Sequence, residues 1–213
     1  MTFTRTAGRT IFLDLERDRY FCLEPEADRA FMAIQHKPEV DPATLAPLRD
    51  ALHDGLITVT TMQLVPTPCA PLPSPTGSVF EEPARATPRE IALMAGRLAL
   101  AIAALRLRPF ARLLNGIEQR RNRQSKLARC PEAILRSIAG ALHRTSFIAS
   151  PLDRCLPRSL ATAHRMLDRG IAPTLVLGVK LGPFEAHCWV QHGATLVNDR
   201  IDNVRRFVPI RVV

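Results

Sequence analysis

The chain is 213 residues long, 46% hydrophobic and 23% charged, with a formal net charge of +9 at pH 7. That balance excludes a disordered chain, and the length allows one large domain or two small ones. The charge is divided: residues 1–64 carry 7 basic and 10 acidic side chains, residues 89–213 carry 21 and 8. A uniform DNA-binding protein rarely divides this way, so two domains with different partners are expected.

No basic start followed by an apolar run marks a signal peptide. The most apolar stretch, residues 91–107, contains Arg97 and falls short of a membrane span, so it reads as a buried helix. The five cysteines, Cys22, Cys69, Cys130, Cys155 and Cys188, are odd in number and form no CxxC pair. They read as reduced thiols, and a cytoplasmic location without a membrane partner is the expectation.

Taken in order, Thr2–Thr6, TIFLDL (10–15) and YFCL (20–23) read as strands, the last two forming a hairpin around a polar turn. Glu26–Gln35 reads as a helix with Phe31, Ile34 and Met32 inward. Asp41-Pro42 opens a helical region that runs to His53 and stops at Gly55, and LITVT (56–60) returns as a strand. Residues 66–88 hold seven prolines, which deny a helix or central strand its donors. They read as an extended linker between a domain of residues 1–65 and one of residues 89–213.

Thr87-Pro88-Arg89-Glu90 reads as a capping box opening a helix to Leu107. Further helices are expected over 109–123 and 131–144, and a fourth, capped by Asp153, to Arg169 before Gly170. The periodicity then switches to two over 173–181, 186–190, 195–199 and 207–213. Helices followed by an antiparallel sheet make an α+β domain.

The chemistry concentrates late in the chain. Cys155 falls in the first turn of the fourth helix, where free N–H groups favour a thiolate, with Arg154 and Arg158 adding positive charge. His187 and Asp199 each lie six residues from Gly193. In a hairpin centred there they oppose one another, within reach of an imidazole–carboxylate bond. Nucleophile, base and orienting acid compose a thiol-hydrolase site. Cys130 also precedes a proline at a helix start and stands as the rival nucleophile, without a His–Asp hairpin tied to it. His164 faces away from Cys155, and no residue set has metal-ligand spacing. The arginine-rich run 106–129 has one aromatic, Phe110, and no stacking series. It reads as a solvated or protein-docking face, with Arg120, Arg121 and Arg123 its centre, and nucleic acid is not the expected partner.

RCLPRSLATAHRML, GVKLG and AHCWVQHGATLVND together resemble the B protein of lasso peptide biosynthesis, a transglutaminase-like cysteine peptidase. TIFLDLERDRYFCL resembles the PqqD-like leader-recognition domain that such proteins carry. The resemblance implies a fused protein: a small winged-helix-like, PqqD-like domain followed by a papain- or transglutaminase-like domain. Its catalytic triad would be Cys155, His187 and Asp199. The second oxyanion donor is open, with Gln191 a weak candidate. Two positions depart from the family pattern, Cys188 often being a small residue and Gln191 often Glu. The implied reaction is removal of the leader from a ribosomally made precursor, ahead of macrolactam closure by a partner cyclase resembling asparagine synthetase. ATP would be used by that partner, since this chain has no GxxxxGK[ST] loop and is expected to bind no cofactor. The leader would add as a strand along Tyr20, Phe21, Cys22 and Leu23. Two rivals remain open at this point: a transglutaminase passing the acyl group to an amine, and a non-catalytic binder of peptide or nucleic acid.

Overall fold

A computed structural model describes residues 1–36, 45–58, 68–124, 132–145 and 155–213. They fall into two compact units, Met1–Cys69 and Ala70–Val213.

In the first unit β1 (Thr2–Thr6), β2 (Arg9–Asp14) and β3 (Arg19–Cys22) form an antiparallel sheet in that order. Ala7 and Gly8 both have positive φ, as a two-residue mirror-type turn between β1 and β2 requires. The longer β2–β3 turn is closed by the Asp14 carboxylate, which accepts the N–H groups of Glu16 and Arg17. Helix α1 (Pro25–His36) has proline at its first position and Glu26 and Asp28 in its first turn, the sign the helix dipole favours. It lays Phe31 on the sheet, edge-on to Phe12 at 4.9 Å and to Phe3 at 5.4 Å, while Phe21 stacks on Phe12 at 5.0 Å. A 3₁₀ turn (Ala46–Leu48) and helix α2 (Arg49–His53) close this core with Leu48 and Ala51. Gly55 ends α2 with φ +62°, as a left-handed C-cap does. Residues 56–58 turn rather than extend, and Ile57 N–H bonds Ala51 C=O, so a strand does not begin there. The expected helix start at Asp41-Pro42 and residues 59–60 lie outside the described residues.

The second unit carries α3 (Pro88–Leu107), α4 (Phe110–Asn122), α5 (Glu132–Thr145) and α6 (Cys155–Asp168), then β5 (Thr174–Lys180), β6 (Glu185–His192), β7 (Thr195–Leu196), α7 (Ile201–Val204) and β8 (Val208–Val212). The sheet runs β4-β7-β6-β5-β8, where β4 is Gly77–Ser78. All neighbours are antiparallel except β4 with β7. Helix α6 is the central helix, set against α3, α5 and β6. Leu160, Ala161, Ala163, Met166 and Leu167 are buried around it. Among the described residues no helix is long and apolar enough to cross a membrane.

Three expectations change here. Residues 70–88 are not free linker along their length, because they belong to the second unit. Ser78 pairs with Leu196, Val79 is buried, and the backbone at Ala84 lies so close to Gly140 of α5 that a Cβ there would meet Ala84 O at 2.0 Å. Prolines permit this because the N–H groups that make the segment's backbone bonds, those of Thr76, Gly77, Val79 and Ala84, all come from other residues. The capping box is half made: Thr87 Oγ1 accepts Glu90 N–H at 3.2 Å, but the Glu90 carboxylate turns to buried Arg165 at 2.6 Å. A buried guanidinium needs that partner more than a helix N-terminus does.

Arg120 is not a free surface charge either. It donates to Asp168 at 3.2 Å and meets His164 Nδ1 at 3.1 Å. Asp168 also binds Arg97 and Arg165, so three arginines share one carboxylate and tie α3, α4 and α6 together. Burial, then Arg120 and Arg97, lower the pKa of His164, which favours a neutral ring accepting from Arg120.

Candidate active site

Strand β7 is only two residues long, so the β6 edge beyond Gln191 has no strand beside it from that side. Its polar groups need other partners, and α6 and the bend after β7 supply them. Ser159 Oγ donates to Cys188 C=O at 2.8 Å, and Asn198 Nδ2 donates to Ser159 Oγ at 2.8 Å. Asn198 Oδ1 in turn accepts Val190 N–H at 2.8 Å. Ser159 and Asn198 are buried, so this network seats the start of α6 against β6 with little freedom. Cys155, the first residue of α6, lies one turn before Ser159 on the same helix side. The N–H groups of Cys188 and Leu156 reach its sulfur, as does the His187 imidazole.

His187 sits on β6 opposite Gly178 of β5. Its ring stacks on Phe207 at 4.9 Å and lies 6.2 Å from Trp189. Gly178 makes room for that arrangement, because a Cβ there would approach the Trp189 ring at 2.5 Å and Phe207 Cβ at 3.0 Å. Trp189 is 1% exposed and its indole N–H is bound to Gln191, so it has nowhere to retreat. Gly178→Ala is therefore expected to cost about 1–3 kcal/mol of stability and to disturb His187, lowering thiol reactivity at neutral pH. Chemical denaturation together with Cys155 alkylation rates measures both.

Asp199 meets His187 differently from the expected hairpin. The ladder pairs His192 with Thr195 and Gln191 with Leu196, so the turn is Gly193–Ala194 and the register is not centred on Gly193. Gly193 takes the left-handed φ of +59° at the first turn position. Asp199 lies past the strand, in a bend, and bonds His187 Nε2 by its side chain. That leaves Nδ1 as the ring nitrogen for Cys155. The bend is held from several sides. Ser78 Oγ donates to Asp199 C=O at 2.6 Å, Arg200 N–H donates to Asp199 Oδ1 at 2.7 Å, and Asn203 Nδ2 reaches both carboxylate oxygens. Neither Ser78 nor Asn203 was identifiable from sequence periodicity. One lies in a proline-rich stretch, the other on a four-residue helix.

The electrostatics follow from these contacts. Burial raises the pKa of the Cys155 thiol, but the hydrogen bond and charge of His187, with the Cys188 and Leu156 N–H groups, outweigh it and bring the pKa below the ordinary thiol value. Burial opposes charge on His187 as well, yet the bonds to Asp199 and Cys155 raise its pKa to about 9. Asp199 is lowered: burial would raise it, and His187, Arg200 N–H and Asn203 prevail. An imidazolium between a thiolate and a carboxylate is the state these contacts favour at neutral pH. Neighbouring Cys188 is the contrast, since its buried thiol is pushed strongly upward and stays protonated.

Other expected site residues fall elsewhere. Arg158 directs its guanidinium over the Phe80 ring at 5.4 Å, and Arg154, Asp153 and Cys130 lie outside the described residues. Gln191 is fully buried, its amide donating to Pro73 C=O and Gly193 C=O and its oxygen accepting from Trp189. It has no hydrogen left for an oxyanion. Tyr20, Phe21 and Cys22 lie on β3, the outer strand of the first sheet, but Leu23 follows it and is 2% exposed in the core. The Leu23 carbonyl accepts Arg9 at 2.8 Å. Among the described residues no group of three His, Cys, Asp or Glu side chains comes together as a metal site.

A family model, that of the transglutaminase-like superfamily, matches residues 96–212, a span that includes Cys155, His187 and Asp199. No curated protein and no solved structure matches the chain.

Proposed function

The chain belongs to the transglutaminase-like superfamily, whose members are generally cysteine-protease-like enzymes, and within it we propose that it is the leader peptidase of lasso peptide maturation. The observation that carries the reading is the hydrogen-bonded line Cys155–His187–Asp199 at the start of α6 and the edge of β6. The finer assignment is supported by the sequence resemblance around those residues and around TIFLDLERDRYFCL.

The chemistry is acyl transfer. The Cys155 thiolate attacks the carbonyl carbon at the leader–core junction, and the His187 imidazolium gives its proton to the departing core amine. The leader is then held as a thioester. Water, losing a proton to His187, attacks that thioester and releases the leader as a carboxylic acid, returning the sulfur to thiolate. Asp199 keeps the imidazole in one tautomer and stabilises its charged form. The Cys155 backbone N–H, at the first position of α6, is the oxyanion donor in this reading.

The leader would be recognised by the first unit, adding as a strand at the outer edge of β3 beside Tyr20, Phe21 and Cys22, with the Phe12–Phe21–Phe31 core behind it. The freed core amine would pass to an asparagine-synthetase-like cyclase that uses ATP, and Arg121 and Arg123, rather than Arg120, would meet an acidic surface on it. The test is mass spectrometry of a precursor peptide incubated with this protein, the cyclase and ATP. Release of the intact leader as a free acid is the expected result. A stable cross-link to an added amine in place of hydrolysis overturns the peptidase assignment in favour of an amine-transferring enzyme, and an unchanged precursor overturns both.

A further inference from the structure

Asp199 lies beyond the β6–β7 ladder, so no strand pairing holds it. A short acidic side chain in a bend has rotamers that point its carboxylate away from His187. The hydrogen bonds of Ser78 and Arg200 fix the backbone and one oxygen, which leaves the second oxygen, the one facing the imidazole, to be aimed by something else. Asn203 stands there. Its Nδ2 lies 3.2 Å from Asp199 Oδ1, 3.1 Å from Oδ2 and 3.2 Å from His187 Nε2. It comes from α7, the helix that begins two residues after Asp199, and that helix takes no side-chain cap, so the amide is not serving as one.

We propose that Asn203 is a positioning residue, holding the Asp199 carboxylate in the orientation that meets His187. The proposal rests on the reading of Cys155, His187 and Asp199 as the reactive set. The choice of residue type supports it. An amide donates to a carboxylate without bringing a charge, whereas a lysine or arginine at this point would compete with the imidazolium for Asp199. The charged and titratable groups around His187 are Cys155 from α6, Asp199 from the bend, and Glu185 on its own strand. Glu185 is paired with Lys180 of β5 at 2.8 Å, with Arg206 also acting on it, and so leaves Asp199 as the carboxylate on the imidazole. Phe207 and Trp189, the ring neighbours, bring no charge.

The experiment uses the full chain and no substrate. Iodoacetamide alkylation of Cys155 is followed by mass spectrometry from about pH 5 to about pH 9, in wild type, Asn203→Ala and Asn203→Ser. Serine keeps a polar side chain on the helix but is too short to span to the carboxylate. With Asp199 free to turn away, the imidazolium is less favoured and the thiolate with it. The acid limb of alkylation is expected to move up by about one pH unit, so that the rate at pH values on that limb falls about tenfold, while the thermal midpoint changes little. A profile that superimposes on wild type in either folded variant overturns the proposal. So does a loss of alkylation that only follows a loss of thermal midpoint, which is what a merely structural asparagine would give. If the alanine variant does not fold, the serine variant supplies the reading. Rapid wild-type alkylation without precursor cleavage defeats the peptidase assignment alone, whereas cleavage with an unmoved Asn203→Ala profile defeats only the role of Asn203.

Discussion

Cys155→Ala is expected to abolish precursor cleavage, a loss on the order of 10⁴–10⁶-fold in kcat/KM, because removing a nucleophile removes the covalent route entirely. The fold should survive. Cys155 is only partly buried and its sulfur contacts are to His187 and two N–H groups, while the α6 seat is made by Ser159 and Asn198. Circular dichroism and leader binding should therefore match wild type as cleavage disappears. His187→Ala should reproduce the loss, since it removes both the proton donor and the positive charge that keeps the thiol ionised. Wild-type cleavage by Cys155→Ala, with loss in Cys130→Ala, would assign the nucleophile to the other cysteine.

Asp199→Asn should lower kcat by roughly 10²–10⁴-fold and change the pH dependence in a stated direction. The His187 pKa of about 9 depends on Asp199. Without the carboxylate the alkaline limb of cleavage, which needs the His187 imidazolium as proton donor, should move down toward the ordinary histidine range of about 6.5. Stability gives an independent reading. The folded pKa of His187 is raised, so its contribution is fully present below the unfolded value of about 6.5 and is lost as pH rises through about 9. The folded pKa of Asp199 is lowered, so its contribution is present above the unfolded value of about 3.9 and is lost as pH falls through the folded one. The difference in thermal midpoint between wild type and Asp199→Asn should peak between those two unfolded values and shrink on both sides. A difference that is flat with pH would contradict the ion pair.

Much of the fold was legible because local chemistry set the boundaries. Thr87 and Pro88 start α3 as a cap and a first-turn proline must, and Gly55 and Gly170 end their helices with positive φ that other residues resist. Alternating apolar residues marked β2, β5 and β6, and the thiol at the start of α6 stood out for its residue type and place. What periodicity could not supply was register. Counting inward to Gly193 assumed an odd-residue turn, whereas a glycine at the first position of a two-residue turn moves every pair by one. Asp199 meets His187 through side-chain reach from a bend.

The residues missed share a cause. Ser78 and Asn203 lie on elements of two and four residues, too short to carry a period, and their roles depend on contacts across 121 and 16 positions of sequence. Arg120 shows the converse: a run of arginines reads as surface charge, but which of them meets Asp168 is decided by the packing of α3, α4 and α6. Gln191, a weak oxyanion candidate from the sequence, is engaged in the core. Burial of the Trp189 indole and of two carbonyls claims its amide first.

The measurement that bears most directly on the account is acid-quenched mass spectrometry of the protein during precursor cleavage. A thioester intermediate predicts a protein species heavier by the leader less one water, with the added mass on the peptide that contains Cys155. The same mass on Cys130, or cleavage that proceeds undiminished after Cys155 has been alkylated, would contradict the assignment of Cys155, His187 and Asp199 as the reacting set.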